Sequence, residues 1–208
     1  MYYELAAMTL PFGTTPQAAG NVQAFATDPA AGGELLGCWA TDIGVLNQLV
    51  VLRGFADLEQ LQAERQRTQR SASPFGCGEL LQSLEISSYR GFDWMTPVRP
   101  SAESGIAGPV YEIRTYGIKP GGVQPTLDLW AEYLPPREAL SRCVIAMIAL
   151  DGAPRFTNIW AYESLNARSQ IRAEAVARGI WPPKGGPAWL TTDMRSTIAL
   201  PTAVSPLK

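Results

Sequence analysis

Glu112, Arg114 and Tyr116 alternate along Val110 to Ile118, a run rich in β-branched and aromatic residues, and their spacing is where chemistry could begin. In an extended chain alternate side chains share a face. An acid, a guanidinium and a phenol would then point one way while Tyr111, Ile113 and Thr115 point the other. Such a face can bind a carboxylate or enolate, with Arg114 stabilising negative charge and Tyr116 donating a proton. The plainer alternative is an ion pair between Arg114 and Glu112. Asn158, Trp160 and Tyr162 repeat the same period on a second predicted strand, giving one wall of an aromatic-ligand pocket or else ordinary core. Trp39 and Asn47, on neighbouring predicted strands of the first half, are the candidates for a matching wall.

What else the chain can do is bounded by its composition. Histidine is absent, which removes histidine-based serine or cysteine catalysis, histidine-ligated haem and most common zinc or non-haem iron sites. We therefore expect no metal and no cofactor. Neither GxGxxG nor a P-loop occurs. The net charge is -2 and no basic stripe appears, so nucleic acid is not an expected partner. Arg65, Arg67 and Arg70 read as the solvated face of a helix.

Three widely spaced cysteines, Cys38, Cys77 and Cys143, argue against a disulfide framework and for a reducing compartment. Cys38 and Cys143 fall in apolar strands and read as buried. Cys77, between glycines, reads as exposed. The opening Met1 to Leu5 lacks a basic segment followed by an apolar run, so no secretory signal is expected. The longest apolar run, Cys143 to Leu150, is far short of the roughly 18 residues of a membrane span. A soluble cytoplasmic protein is the expectation. With 46% hydrophobic and 17% charged residues the chain can bury a normal core.

The elements that would carry these residues come in a repeated order. Strands are predicted from Tyr3 to Leu10, Glu34 to Asp42, Asn47 to Phe55 and Leu84 to Tyr89, with a weak helix from Pro16 to Ala26 and a second one capped by Asp57. Gln60 stands at the capping-box position, and Ser71 to Pro74 stops that helix. Thr96 to Pro109 is rich in Pro, Gly and Ser and reads as a linker. The plan then recurs as the Val110 strand, a helix over Leu127 to Leu134 ended by Pro135-Pro136, a hairpin around Asp151-Gly152, a helix from Leu165 to Ala177 capped by Ser164, and a last strand from Thr191 to Leu200. The loop from Trp181 to Pro187 reads as a connection or a lid. A shift of 107 positions lays Leu52 on Ile159, Asp57 on Ser164, Leu58 on Leu165 and Arg65 on Arg172; a shift of 108 lays Glu4 on Glu112. We expect an α+β chain of two tandem ferredoxin-like units, 1–96 and 109–208, joined by 97–108, with the sheets packed on each other.

Tyr111-Glu112-Ile113-Arg114-Thr115-Tyr116 followed by Lys119-Pro120-Gly121, and Ile159 through Leu165 at the later strand-to-helix junction, resemble the NIPSNAP family. In the first half, Gly37-Cys38-Trp39, Leu46-Asn47-Gln48 and Val50-Val51-Leu52 resemble its central hairpin. The resemblance implies a dimeric α/β barrel in which the two halves of one chain stand in for two subunits. It implies no defined activity for the family. The halves differ, since Arg53-Gly54 stands where the second has Trp160-Ala161, so two equivalent pockets are not expected. The first reading is a barrel that binds a small organic molecule. The alternatives are a cofactor-free monooxygenase, isomerase or cyclase acting on an aromatic or polyketide-like substrate, and a non-enzymatic interaction module. Whether the protein is an enzyme, and whether whole chains pair as a homodimer, stay open at this point.

Overall fold

The computed structural model describes residues 1–208. In chain order the elements are β1 (Tyr2–Thr9), α1 (Thr15–Ala26), β2 (Glu34–Ile43), β3 (Gln48–Phe55), α2 (Leu58–Arg70), β4 (Ser83–Gly91), α3 (Ser101–Ser104), β5 (Val110–Ile118), α4 (Val123–Glu138), β6 (Cys143–Ala149), β7 (Arg155–Tyr162), α5 (Leu165–Ala177) and β8 (Leu190–Pro201). All strand pairs are antiparallel, and the strands close into one barrel in the order β1-β3-β2-β8-β5-β7-β6-β4. Two four-stranded sheets, β4-β1-β3-β2 and β6-β7-β5-β8, meet where β2 pairs with β8 and β4 with β6. The fold is therefore a dimeric α/β barrel made within one chain.

Period-two alternation explains how it closes. The inner residues of β5 and β7, Tyr111, Ile113, Ile159 and Ala161, join Tyr3, Trp39, Val50 and Leu52 in a single apolar cluster between the sheets. Their neighbours point outward under the helices and form two further clusters, one on each half. Burying both faces of each sheet is what excludes water from the polar residues discussed below. No helix is long and apolar enough to cross a membrane.

Helix starts follow the expected caps. Asp57 accepts from the Gln60 amide at 2.8 Å and Ser164 from Ala167 at 3.0 Å. The Gln60 side chain reaches back to the amide of Ala56, one residue before the cap. Asp57→Ala is expected to cost about 1 kcal/mol, read as a lower urea midpoint with unchanged slope.

Several expectations need correction. The helix expected to end at Pro135-Pro136 runs through both prolines to Glu138. The carbonyls that lose donors belong to Ala131 and Glu132, both exposed, where water can replace the missing bonds. Residues 97–108 are not bare linker: they contain α3, bury Val98 and pin its amide to the Tyr3 hydroxyl at 3.1 Å. Cys77 is buried, its thiol contacting the carbonyls of Phe75 and Ala18, because its glycine-flanked turn folds onto α1. Burial raises the pKa of all three thiols.

The arginines of α2 are not simply a solvated face. Arg65 donates to Glu4 at 3.1 Å and to Ser88 at 2.7 Å, and Arg67 to Glu64 at 2.7 and 2.8 Å; Arg70 alone is exposed. A buried carboxylate must be paired, and Glu4 and Glu64 draw these side chains inward.

Candidate functional site

A cavity of about 240 Å³ lies outside the barrel wall, between the outer face of the second sheet and helices α4 and α5. Strand β5 contributes Arg114 and Tyr116, and β7 contributes Phe156. Helix α4 supplies Trp130 and Arg137, and α5 supplies Arg172. The loop after α5 covers it with Trp181, Pro182, Pro183 and Pro187.

The aromatic wall is continuous. Trp130 meets Trp181 edge-on with centroids 4.9 Å apart, Phe156 at 5.3 Å and Trp160 at 6.4 Å. Such contacts hold rings in fixed positions and leave flat surfaces between them.

Register places six of the eight predicted residues together. Glu112 lies opposite Trp160, Arg114 opposite Asn158 and Val110 opposite Tyr162. All six point toward the helices rather than into the barrel, because the apolar alternate set is the one that packs sheet on sheet. These six residues are therefore not in the barrel lumen, which the apolar cluster occupies. Of the six, Arg114 and Tyr116 line the cavity directly. Trp160 and Tyr162 lie against Arg137, whose guanidinium lies 4.5 Å over the Trp160 ring and donates to the Tyr162 hydroxyl at 3.4 Å. Asn158 accepts from the Trp160 indole at 2.7 Å, leaving its own amide nitrogen buried without a partner.

Trp39 and Asn47 do not form a matching wall. Trp39 faces the barrel interior and packs on Tyr111 at 5.2 Å. Asn47 is an exposed turn residue with φ 55° between β2 and β3, and its carbonyl accepts from Leu10 at 2.9 Å. A left-handed backbone at the tip of a hairpin suits asparagine structurally.

Glu112 organises the charges. Its Oε1 accepts from Arg114, from Arg168 at 2.5 Å and from the Ser196 hydroxyl at 2.7 Å, while Arg172 stands 3.9 Å from Oε2. Burial by itself would raise this carboxyl; hydrogen bonding from Arg168 and the charge of Arg114 outweigh it and hold it at about 2. Arg114 also donates through Nε to the Tyr116 hydroxyl oxygen. That oxygen is thus an acceptor already, and its own proton is free to be given to a ligand.

Arg137 was not visible as a site residue. It is 2% exposed, its hydrogen bonds go to Ser141 and Tyr162, and no carboxylate lies within ion-pair distance. Desolvation lowers its pKa. A signal existed: Trp130, Leu134 and Arg137 are spaced i, i+4, i+7, one helical face. Taking the two prolines as the helix end hid it. Trp130 and Trp181 were likewise missed as lining residues.

The first half keeps the framework with different residues under its helices. Glu4, Ser88 and Arg65 stand where the second half has Glu112, Ser196 and Arg172. Arg53 occupies the Trp160 position, ion-paired to Glu4 at 2.6 Å and to Glu64, with Phe75 4.8 Å away. This buried network and Phe75 fill the space under its helices.

An eight-stranded barrel of two ferredoxin-like halves, with a lined cavity under the helices of one half, defines the class as a single-chain dimeric α/β barrel. The chain belongs to the NIPSNAP family, whose sequence profile matches residues 3–74 and 111–206. A NipSnap homolog of Dictyostelium discoideum is 24% identical over 151 residues, 72% of this chain and 66% of that protein. The matched part thus spans just under two thirds of that relative. A candidate monooxygenase from Lactobacillus acidophilus superposes with TM-score 0.65 at 10% identity, covering 96% of this chain and 93% of that one. An anthrone oxidase-like protein superposes with TM-score 0.64 at 11% identity, covering 97% and 91%. At these identities the two structures share the fold.

Proposed function

We propose that the protein binds a small, flat organic anion in the cavity beneath α4 and α5. Arg137 carries this reading: it is a guanidinium almost fully removed from water, next to Arg172 and without a carboxylate. An unpaired buried charge is costly, and a ligand carboxylate is the group that would relieve it. Trp130, Phe156 and Trp181 supply the surfaces for a ring. A volume of about 240 Å³ is below the roughly 300–1,000 Å³ of sites for larger ligands. One or two fused rings fit it better than a polycyclic polyketide.

Tryptophan fluorescence tests the reading, since Trp130 and Trp181 line the site. Titration with 2-naphthoate is expected to saturate, and the uncharged 2-naphthamide is expected to bind more weakly. Arg137→Met should weaken 2-naphthoate by about 10- to 100-fold, the usual worth of a hydrogen bond to a charge, without lowering the unfolding midpoint. Equal affinity for acid and amide would sink the proposal, as would no binding by either.

A second reading, cofactor-free oxygenation, isomerisation or cyclisation of an aromatic substrate, is favoured by the disposition of Tyr116, which offers a proton inside an aromatic cavity. The names borne by the two solved structures of this fold lie in the same direction. Oxygen uptake or product formation with a bound phenolic acid supports that reading, and binding without turnover ends it. Three free, buried thiols favour a reducing, cytoplasmic setting.

A further inference from the structure

We propose that the ligand is bifunctional, with a carboxylate held between Arg137 and Arg172 and a second oxygen, phenolic or enolic, at Arg114 and Tyr116. This rests on the anion-binding reading above and names the substrate class within it. The first support is charge. Arg114, Arg137 and Arg172 line the cavity, Arg168 stands behind them on Glu112, and Glu112 is the one carboxylate within ion-pair distance of any of the four. Glu112 is taken up by Arg114 and Arg168, so the ligand carboxylate is drawn to Arg137 and Arg172, and the Tyr116 proton, whose oxygen already accepts from Arg114, is left for a second ligand oxygen.

The second support is position. Tyr116 lies opposite Phe156, whereas Arg137 sits over Trp160. Four residues of strand separate those levels, about 13 Å at the rise of an extended chain. Polar groups thus stand at the two ends, and Trp130 bridges them from above, 5.3 Å from Phe156 and 6.4 Å from Trp160. A flat two-ring body with oxygen functions at opposite ends matches that layout.

Calorimetry with 6-hydroxy-2-naphthoate and 2-naphthoate, on the wild type and on Tyr116→Phe and Arg137→Met, is the test. The hydroxy acid is expected to bind roughly tenfold more tightly to the wild type, the worth of one good hydrogen bond. Tyr116→Phe should erase that gain and leave 2-naphthoate affinity in place, while Arg137→Met should weaken both acids together. Saturable 2-naphthoate binding with no gain from the hydroxyl, or a gain that survives Tyr116→Phe, overturns the bifunctional ligand alone. If neither acid binds, it falls together with the proposed function.

The free edge of β8 carries a second, independent inference. Leu190–Pro201 pairs with β5 along most of its length but meets β2 only from Ile198 onward. Its other edge is bare from Thr192 to Ser196, a stretch whose residues are all exposed. The geometry points to antiparallel pairing with β8 of a second copy, centred on Met194. That register sets Asp193 of each copy opposite Arg195 of the other, two complementary charge pairs on one face. The exposed apolar tip of the β2–β3 hairpin, Ile43, Val45 and Leu46, flanks the same edge, with Gly44 beside Thr197. A strand edge bordered by apolar residues is a template for strand addition.

Sedimentation analysis should show a dimer for the wild type, a shift to monomer for Arg195→Asp, which opposes like charges twice, and a restored dimer for the Asp193→Arg, Arg195→Asp double exchange. A monomeric wild type, or a dimer indifferent to Arg195→Asp, rules the pairing out.

Discussion

Glu112→Gln is expected to lower stability by about 3 kcal/mol at neutral pH and to tighten anion binding in the same protein. The carboxylate is fully buried and holds Arg114 and Arg168, which keep 17% and 23% exposure. Removing one partner of such a set leaves buried positive charge behind, at a cost of about 3–5 kcal/mol when water is fully excluded. Partial exposure puts this case at the low end. Its pH dependence gives an independent figure. In the folded chain burial pushes the carboxyl up, but Arg168 and Arg114 bring it down to about 2, against 4.5 for an ordinary glutamate. A separation of that size corresponds to about 3 kcal/mol. Because the folded value is the lower one, this stabilisation is complete above about pH 4.5 and is lost as pH falls toward 2. Urea unfolding across that range should show a falling wild-type stability and a flatter variant. A variant as stable as wild type at pH 7 contradicts the assignment. Binding should improve because Arg114, released from Glu112, faces the cavity with its charge unshared.

Glu4→Gln should cost about 3–5 kcal/mol and leave ligand affinity unchanged. Glu4 is the counterpart of Glu112 in the first half, but its partner Arg53 is 1% exposed, so little water can compensate. Arg65 and Glu64 retain their remaining contacts, which keeps the loss from being larger. Comparing the two glutamine variants separates architecture from site: both should unfold more easily, and one alone should change 2-naphthoate binding. A binding change in Glu4→Gln would mean that the first half also takes part in recognition.

Much of this was legible in advance where the governing interaction is local. Strand alternation put Glu112, Arg114 and Tyr116 on one face and Asn158, Trp160 and Tyr162 on another, since backbone geometry sets the period whatever lies opposite. Asp57 and Ser164 started their helices because a cap needs only its own next turn. The repeat at 107–108 positions carried the order of elements in both halves, and with it the barrel.

Other features depended on contacts between distant residues. Which sheet face turned inward followed from the apolar set of β5 and β7 finding Tyr3, Trp39 and Leu52 across the barrel, and that choice sent the polar set under the helices. Asn47 was read as strand because its neighbours are strand-forming, yet the hairpin needed a left-handed residue there. Cys77 and Arg65 carried side chains that look exposed until α1 and Glu4 are brought against them. Arg137 is the clearest case: two prolines on an exposed face let α4 continue one turn further, because water satisfies the carbonyls they leave free. That extra turn delivers the guanidinium to Trp160. A linear reading scores each residue by its neighbours in the chain, whereas burial, pairing and the cavity arise from residues far apart in it, as where Trp39 of β2 pairs with Pro201 of β8.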